Sequence, residues 1–209
     1  MARRARVERV TGETRVLVDL DLDARELRGV SVSTGVPFLD HMVETLAYYA
    51  GWGLEARVEE AKRVDDHHVA EDLALALGEA VARAVASGGY RVARFGHAIV
   101  PMDEVLVLAA VDYSGRPGAW VDLPFTREEV GGLATENIPH FVWSLASASA
   151  MTVHVRALQG GNNHHLAEAA FKALGMALRQ ALAPSAAVVS TKGVILPPGA
   201  GARGGAGEE

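Results

Sequence analysis

The sequence contains no cysteine, so it can form neither a disulfide nor a thiolate metal site. No apolar run approaches the ~20 residues that a membrane-spanning helix needs. The basic start, MARRARVERV, has no apolar segment of signal-peptide length behind it. With a net charge of −6, the chain also lacks the basic excess of a general nucleic-acid binder. We therefore expect a cytoplasmic protein that binds neither membranes nor nucleic acid.

The most distinctive feature of the sequence is a His-His-x-x-Glu motif that occurs twice. The first copy, HHVAE, occupies residues 67–71, and the second, HHLAE, occupies residues 164–168, 97 residues later. Small and apolar residues beyond the motif coincide at the same offset, and Gly78 and Gly175 are one such pair. An extended match of this kind indicates an internal duplication.

Each half of the duplication is predicted to fold as a β-β-α-β-α unit. Alternating or continuous apolar patterns at 16–22 and 105–111 predict strands, and short helices follow from Pro37 and Pro139. The long helix that begins with each motif carries apolar residues at helical spacing, with alanine and glycine where close helix packing is expected. The predicted fold class is therefore α+β, with the helices packed on one face of mostly antiparallel sheets.

The boundaries of the two halves follow from the extent of the repeat. Residues 1–93 are predicted to form the first α+β repeat and residues 94–193 the second, as one compact unit. Residues 194–209, rich in glycine and alanine without periodicity, are predicted to be disordered. The alanines and paired glycines of the long helices indicate that the two halves pack through these helices.

The paired histidines predict a metal centre with two ions. Neighbouring helical side chains diverge by about 100°, so one ion cannot easily take both histidines of one doublet, whereas two doublets can bracket two ions. The alternative is that the motifs only mark helix starts that are capped by the preceding residues, DD at 65–66 and NN at 162–163. Capping of this kind would not require histidine. Imidazole and carboxylate ligands leave Mn, Fe, Co, Ni and Zn open. The predicted ligands are His41, His67, His68, Glu71, His140, His164, His165 and Glu168.

Six short segments occur in an order that is typical of one known family. They are FLDHM at 38–42, DDHHVAE at 65–71, RFG at 94–96, SGRP at 114–117, GGNNHHLAEAAFK at 160–172 and STKG at 190–193. From about Arg6 to Gly193 the chain resembles imidazoleglycerol-phosphate dehydratase, an enzyme of histidine biosynthesis. It departs from the family at Thr45, where a glutamine near the phosphate is frequent, and at Gly161, where glutamate is common.

The resemblance implies a ribosomal protein S5 domain 2-like fold with an inner helical layer. It also implies two manganese ions per active site, held by the eight ligands above, and a homo-oligomer of 24 subunits with active sites at subunit interfaces. The expected reaction converts D-erythro-imidazoleglycerol 3-phosphate to imidazole acetol phosphate and water. Two metals on the substrate ring would favour an imidazolate, which expels the hydroxyl through a diazafulvene-like intermediate.

The resemblance further assigns roles to individual residues. Acid–base candidates are Glu13, Glu71, Glu168 and Lys172. Candidates for binding the substrate phosphate are Arg94, Arg116, Ser190, Thr191 and Lys192.

Two alternative functions use the same histidines. A di-metal hydrolase would require bridging carboxylates or hydroxide, whereas the predicted ligand set has six imidazoles and only two carboxylates. A metal-storage or metal-stabilised shell would need the histidines but not the basic residues at 94, 116 and 192.

Overall fold

The structure, a computed structural model, describes residues 2–24, 29–62, 64–89 and 91–186. The predicted tail and the predicted phosphate residues Ser190, Thr191 and Lys192 lie outside these ranges. In chain order the elements are β1 (Arg4–Val10), β2 (Thr14–Asp21), β3 (Val30–Ser33), α1 (Pro37–Ala50), β4 (Gly53–Glu60), α2 (His67–Ser87), β5 (Phe95–Met102), β6 (Val105–Asp112), β7 (Gly118–Asp122), β8 (Glu129–Val130), β9 (Leu133–Ala134), α3 (Asn137–Ser149), β10 (Thr152–Gln159) and α4 (Asn163–Ala181).

Two four-stranded sheets repeat the same topology. The first has the order β1-β2-β4-β3 and the second has the order β5-β6-β10-β7. In each sheet three strands are antiparallel, and the last edge strand runs parallel to its neighbour. The predicted duplicated α+β class with mostly antiparallel sheets is confirmed.

Each four-stranded sheet contains one strand that the predicted unit lacks, namely β3 in the first half and β7 in the second. The second half also contains the short antiparallel pair β8–β9, which the predicted unit lacks as well. The strand β3 has only four residues, and β7 exposes Trp120 and Asp122. Both are edge strands that pair in parallel with a central strand far along the chain. Strands of this kind depend on that long-range pairing more than on a local apolar pattern, so they leave a weak signal in the sequence.

Alternation in the central strands produces one buried face per sheet. In β2, Val16, Val18 and Leu20 are buried while Arg15 and Asp19 are exposed. The strand β6 repeats the pattern with four buried apolar residues. Because side chains alternate along a strand, each sheet turns one apolar face toward the helices.

The four helices form the layer in which the two halves meet. Within each half, both helices pack on that half's sheet, while α1 also packs against α4 and α2 against α3. At the α2–α3 crossing, a Cβ on Gly78 would lie 2.7 Å from the Ala148 Cβ; at the α1–α4 crossing, a Cβ on Gly175 would lie 2.6 Å from the Leu46 carbonyl oxygen. The predicted packing of the halves through these helices is therefore correct.

Among the helices in the described ranges, none combines the length and the apolar character needed to cross a membrane.

Candidate metal centre

The six histidines predicted as metal ligands lie near the starts of the four helices, where the two halves face each other. The long helix α2 begins at His67, whose backbone N–H donates to Asp65 Oδ1 at 3.0 Å. The equivalent helix α4 is capped by Asn162, whose side chain accepts from the backbone N–H of His164 at 2.8 Å. Hydrogen bonds from the first backbone N–H groups to Asp65 and Asn162 therefore fix where each helix starts, and the pairing of helices across the halves decides which histidines meet.

Three predicted ligands meet where α1 packs against α4. His164 Nε2 lies 3.1 Å from Glu168 Oε2, and His41 Nε2 lies 3.4 Å from the same oxygen. One ligand atom from each residue lies within 4.8 Å of the others. We call this group, formed by His41, His164 and Glu168, cluster A.

A second group lies where α2 packs against α3. Glu71 is 3.9 Å from His67 Nε2 and 3.5 Å from His140 Nε2, and the two imidazole rings stack with centroids 4.6 Å apart. Their ligand atoms also lie within 4.8 Å of one another. We call this group, formed by His67, Glu71 and His140, cluster B. Each cluster draws on both halves of the chain.

The other two histidines of the motifs point away from these clusters. His165 Nδ1 lies 3.1 Å from Glu104 Oε2, and its Nε2 lies 3.6 Å from Asp103 Oδ2, which makes a third acidic group. The Nδ1 atom of His68 lies 3.6 Å from Asp65 Oδ1 and 3.9 Å from Glu13 Oε2. The two motifs thus divide their histidines in the same way.

The acidic neighbours of His165 were missed by the sequence reasoning. Glu13 was identified as an acid–base candidate, but its repeat equivalent Glu104 was not, although the two occupy matching positions before a central strand. The backbone N–H of Asn162, followed by Glu104's own N–H and the His165 ring, lowers the pKa of Glu104 to about 2. The repeat alignment was therefore the signal that could have identified Glu104.

Lys172 lies beside cluster A, as its position one turn beyond Glu168 predicts. Its ammonium is 2.9 Å from Glu168 Oε1. Burial alone would raise the pKa of Glu168, but the hydrogen bonds and charge of Lys172, together with His41 and His164, lower it below the ordinary value. The Glu168 carboxylate is therefore ionised at neutral pH and available as a ligand.

A cavity of about 380 Å³ opens next to cluster A. Glu168 and Lys172 line one side of it, and Thr45, at the position of the family's frequent glutamine, lines another. Gly161, the second departure from the family, lies under Glu104, and a Cβ there would come within 2.8 Å of the Glu104 carboxyl carbon. Glycine at this position leaves room for Glu104 beside the start of α4.

The two predicted phosphate arginines lie at the other end of the same subunit. The Arg94 backbone N–H donates to the carbonyl oxygen of Ala181, the last residue of α4, whereas cluster A lies near the first. At 1.5 Å per residue, α4 separates these ends by about 27 Å. Arg94 donates to both Asp112 carboxylate oxygens, at 2.7 and 3.1 Å, and this hydrogen bonding raises its pKa. Arg116 is exposed, 3.6 Å from Asp112.

The fold and the clusters define a duplicated α+β protein with groups of residues that could each hold a metal ion. The family model of imidazoleglycerol-phosphate dehydratase matches residues 34–178 of the chain. The chain belongs to the imidazoleglycerol-phosphate dehydratase family, and it is a dehydratase, an enzyme of the hydro-lyase class. The family resemblance stated from the sequence is confirmed.

Similarity to individual proteins extends over most of the chain. The imidazoleglycerol-phosphate dehydratase of Caldivirga maquilingensis is 48% identical over 198 residues, covering 93% of this chain and 100% of that protein. Its namesake from Schizosaccharomyces pombe is 44% identical over 217 residues, covering 92% and 100%.

Solved structures of the family share the fold. The crystal structure of the enzyme from Pyrococcus furiosus, in complex with (S)-C348, matches with a TM-score of 0.76 and 38% identity over 90% of this chain and 99% of that one. The imidazoleglycerol-phosphate dehydratase structure from Staphylococcus aureus matches with a TM-score of 0.72 and 30% identity over 87% and 99%.

Proposed function

We propose that this dehydratase converts D-erythro-imidazoleglycerol 3-phosphate to imidazole acetol phosphate and water in histidine biosynthesis, with two Mn²⁺ ions per active site. The observation that carries the proposal is the pair of His-His-Glu clusters, each assembled from both halves of a chain that belongs to this family. The cytoplasmic location expected from the sequence stays a prediction.

The residues of the clusters fit divalent first-row metals. Each cluster offers two imidazole nitrogens and one carboxylate, a ligand set that suits Mn, Fe, Co and Zn and that needs no sulfur. When bound, the two ions would supply Lewis acidity to the imidazole ring of the substrate.

The geometry supports a site that is completed by another copy of the chain. Three ligands per cluster leave coordination positions open, and His68 and His165 lie outside both clusters. The Nε2 atom of His68 is buried and has no hydrogen-bond partner among the described residues. We propose that these two histidines complete the eight-ligand set in a neighbouring subunit, within the 24-subunit assembly implied by the family resemblance.

The separation of the arginines from the clusters supports the same arrangement. Arg94 cannot reach cluster A of its own subunit across the length of α4, and Arg116 lies beside Asp112, the partner of Arg94. We therefore propose that they bind the substrate phosphate at the site of a neighbouring subunit, together with Ser190, Thr191 and Lys192. Asp112 orients Arg94 by accepting two of its hydrogen bonds.

Proton transfer in the proposed reaction needs a carboxylate that can accept a proton near the substrate. Glu13 is exposed beside His68 and can act without leaving a metal. Glu71 and Glu168 lie inside the clusters, and Lys172 contacts Glu168 while it lines the adjacent cavity. We propose Glu13 as the first candidate for the base and Lys172 as a donor to a substrate hydroxyl.

Restoring metal to stripped protein tests the proposed function. We expect no turnover of imidazoleglycerol phosphate after treatment with a chelator, and activity that rises until two equivalents of Mn²⁺ per chain are bound. Substrate loss and bound manganese would be measured on the same samples. Two bound equivalents without turnover would overturn the substrate assignment and favour a metal-binding shell.

The exposed Arg116 offers a test of the phosphate site. We expect Arg116→Ala to raise KM by about 10- to 100-fold, because a charge-assisted hydrogen bond is worth ~1.5–3 kcal/mol, while the manganese content stays unchanged. Arg57→Ala is the matched control, since Arg57 is similarly exposed on the other sheet and pairs with Glu59. An unchanged KM in steady-state kinetics of Arg116→Ala would count against this phosphate site.

A further inference from the structure

Clusters A and B occupy equivalent positions in the two halves but differ in the residues around them. We propose that they bind their cations with unequal affinity and that cluster B is filled before cluster A. In cluster B, Asn137 holds the His67 ring in the orientation that binds the cation. The inference rests on the proposed metal centre and adds an order of binding to it.

Asn137 holds the imidazole of His67 in one orientation. The Asn137 side chain is buried, 3% exposed, and its Oδ1 lies 3.0 Å from His67 Nδ1. Because an amide oxygen only accepts hydrogen bonds, Nδ1 carries the proton and the lone pair of His67 lies on Nε2. That Nε2 faces Glu71 in cluster B. A ligand histidine fixed in this way binds a cation without first having to rotate or exchange its proton.

The equivalent position beside cluster A holds an aromatic ring. Aligning His41 with His140 places Phe38 opposite Asn137, and the Phe38 ring meets His164 edge-on with centroids 5.2 Å apart. A phenyl ring has no amide oxygen to accept a hydrogen bond, and no hydrogen bond joins Nδ1 of His164 to another residue in the described ranges. The orientation of His164 is therefore less strongly fixed than that of His67.

The charges around Glu168 and Glu71 also favour cation binding at cluster B over cluster A. In cluster A, the Lys172 ammonium is 2.9 Å from Glu168 and already neutralises part of its charge. In cluster B, the residue equivalent to Lys172 at the 97-residue offset is Leu75, which carries no charge. A fixed positive charge beside a carboxylate opposes the approach of a second cation. Both differences therefore favour cluster B as the tighter site.

Calorimetric titration of Mn²⁺ into the metal-free, full-length chain tests the order. We expect two binding steps whose dissociation constants differ by at least about tenfold. Asn137→Ala should weaken the first step by about 10- to 100-fold, which is the usual cost of losing a residue that orients a metal ligand. Asn137→Asp should preserve the first step, because it keeps an acceptor oxygen. Lys172→Met should lower the dissociation constant of the second step and so reduce the difference between the two dissociation constants.

Several results would overturn the proposal. Two equal steps in the unmodified protein would do so, and so would an Asn137→Ala variant that weakens the second step or neither step. If circular dichroism shows that Asn137→Ala does not fold, Lys172→Met alone tests the order of binding. A difference between the two dissociation constants that stays as large in Lys172→Met as in the unmodified protein would contradict the proposed order. Two equal steps would leave the proposed two-metal function intact, whereas failure to bind two ions would overturn that function as well.

Discussion

We expect His67→Ala to lower kcat/KM for imidazoleglycerol phosphate by about 10³-fold or more and to reduce bound manganese from two ions per chain to about one. The substitution leaves cluster B with only Glu71 and His140 as ligands. A catalytic metal contributes several kcal/mol of charge stabilisation in the transition state, and each 1.36 kcal/mol is a factor of ten in rate. Steady-state kinetics and elemental analysis of the same preparation would measure both effects.

His154→Ala is the matched control for this variant. His154 lies on an outward-facing position of β10 and stacks on Trp120 with ring centroids 4.8 Å apart, on a strand that contributes to neither cluster. We expect its metal content and kcat/KM to stay at the values of the unmodified protein. If His67→Ala kept kcat/KM within tenfold while folded, His67 would not be a ligand that the reaction needs.

The elements that follow from local patterns could be predicted from the sequence. Both long helices repeat their apolar spacing position for position, and the paired Gly78 and Gly175 indicate close helix crossings, as observed. The edge strands β3 and β7 could not be predicted, because each is short and depends on parallel pairing with a central strand. Local information therefore gives the repeat and its helices, but not the edges of its sheets.

For the candidate site, the residues could be identified from the sequence, but the contacts between them could not. The repeated motif identified the eight candidate ligands, but their grouping depends on which helices cross, since His41 meets His164 only through the packing of α1 on α4. The contact of Asn137 with His67 could not be predicted, because an asparagine at the start of a helix is common for reasons of capping alone. The Arg94–Asp112 pair joins the residue before β5 to the last residue of β6, and no pattern in the sequence indicates this contact.

The largest effect on stability is expected at the helix crossings between the two halves. We expect Gly78→Ala to lower the free energy of unfolding by about 2 kcal/mol, because the added Cβ would lie 2.7 Å from both the Ala148 Cβ and the Leu145 carbonyl oxygen. Overpacking a core costs ~1–3 kcal/mol, and here the clash involves backbone. The melting temperature should fall by about 4–8 °C, measured by differential scanning calorimetry at fixed metal and protein concentration.

The sign of this change is informative because two effects oppose each other in Gly78→Ala. Alanine favours a helix over glycine by ~1 kcal/mol, so a loosely packed crossing would be stabilised by the same substitution. Gly12→Ala is the control, because a Cβ at Gly12 meets nothing within 4 Å and the position lies outside the helices. We expect that control to stay within about 0.5 kcal/mol. A Gly78→Ala variant that melts higher than the unmodified protein would mean that α2 and α3 do not approach closely enough to require glycine.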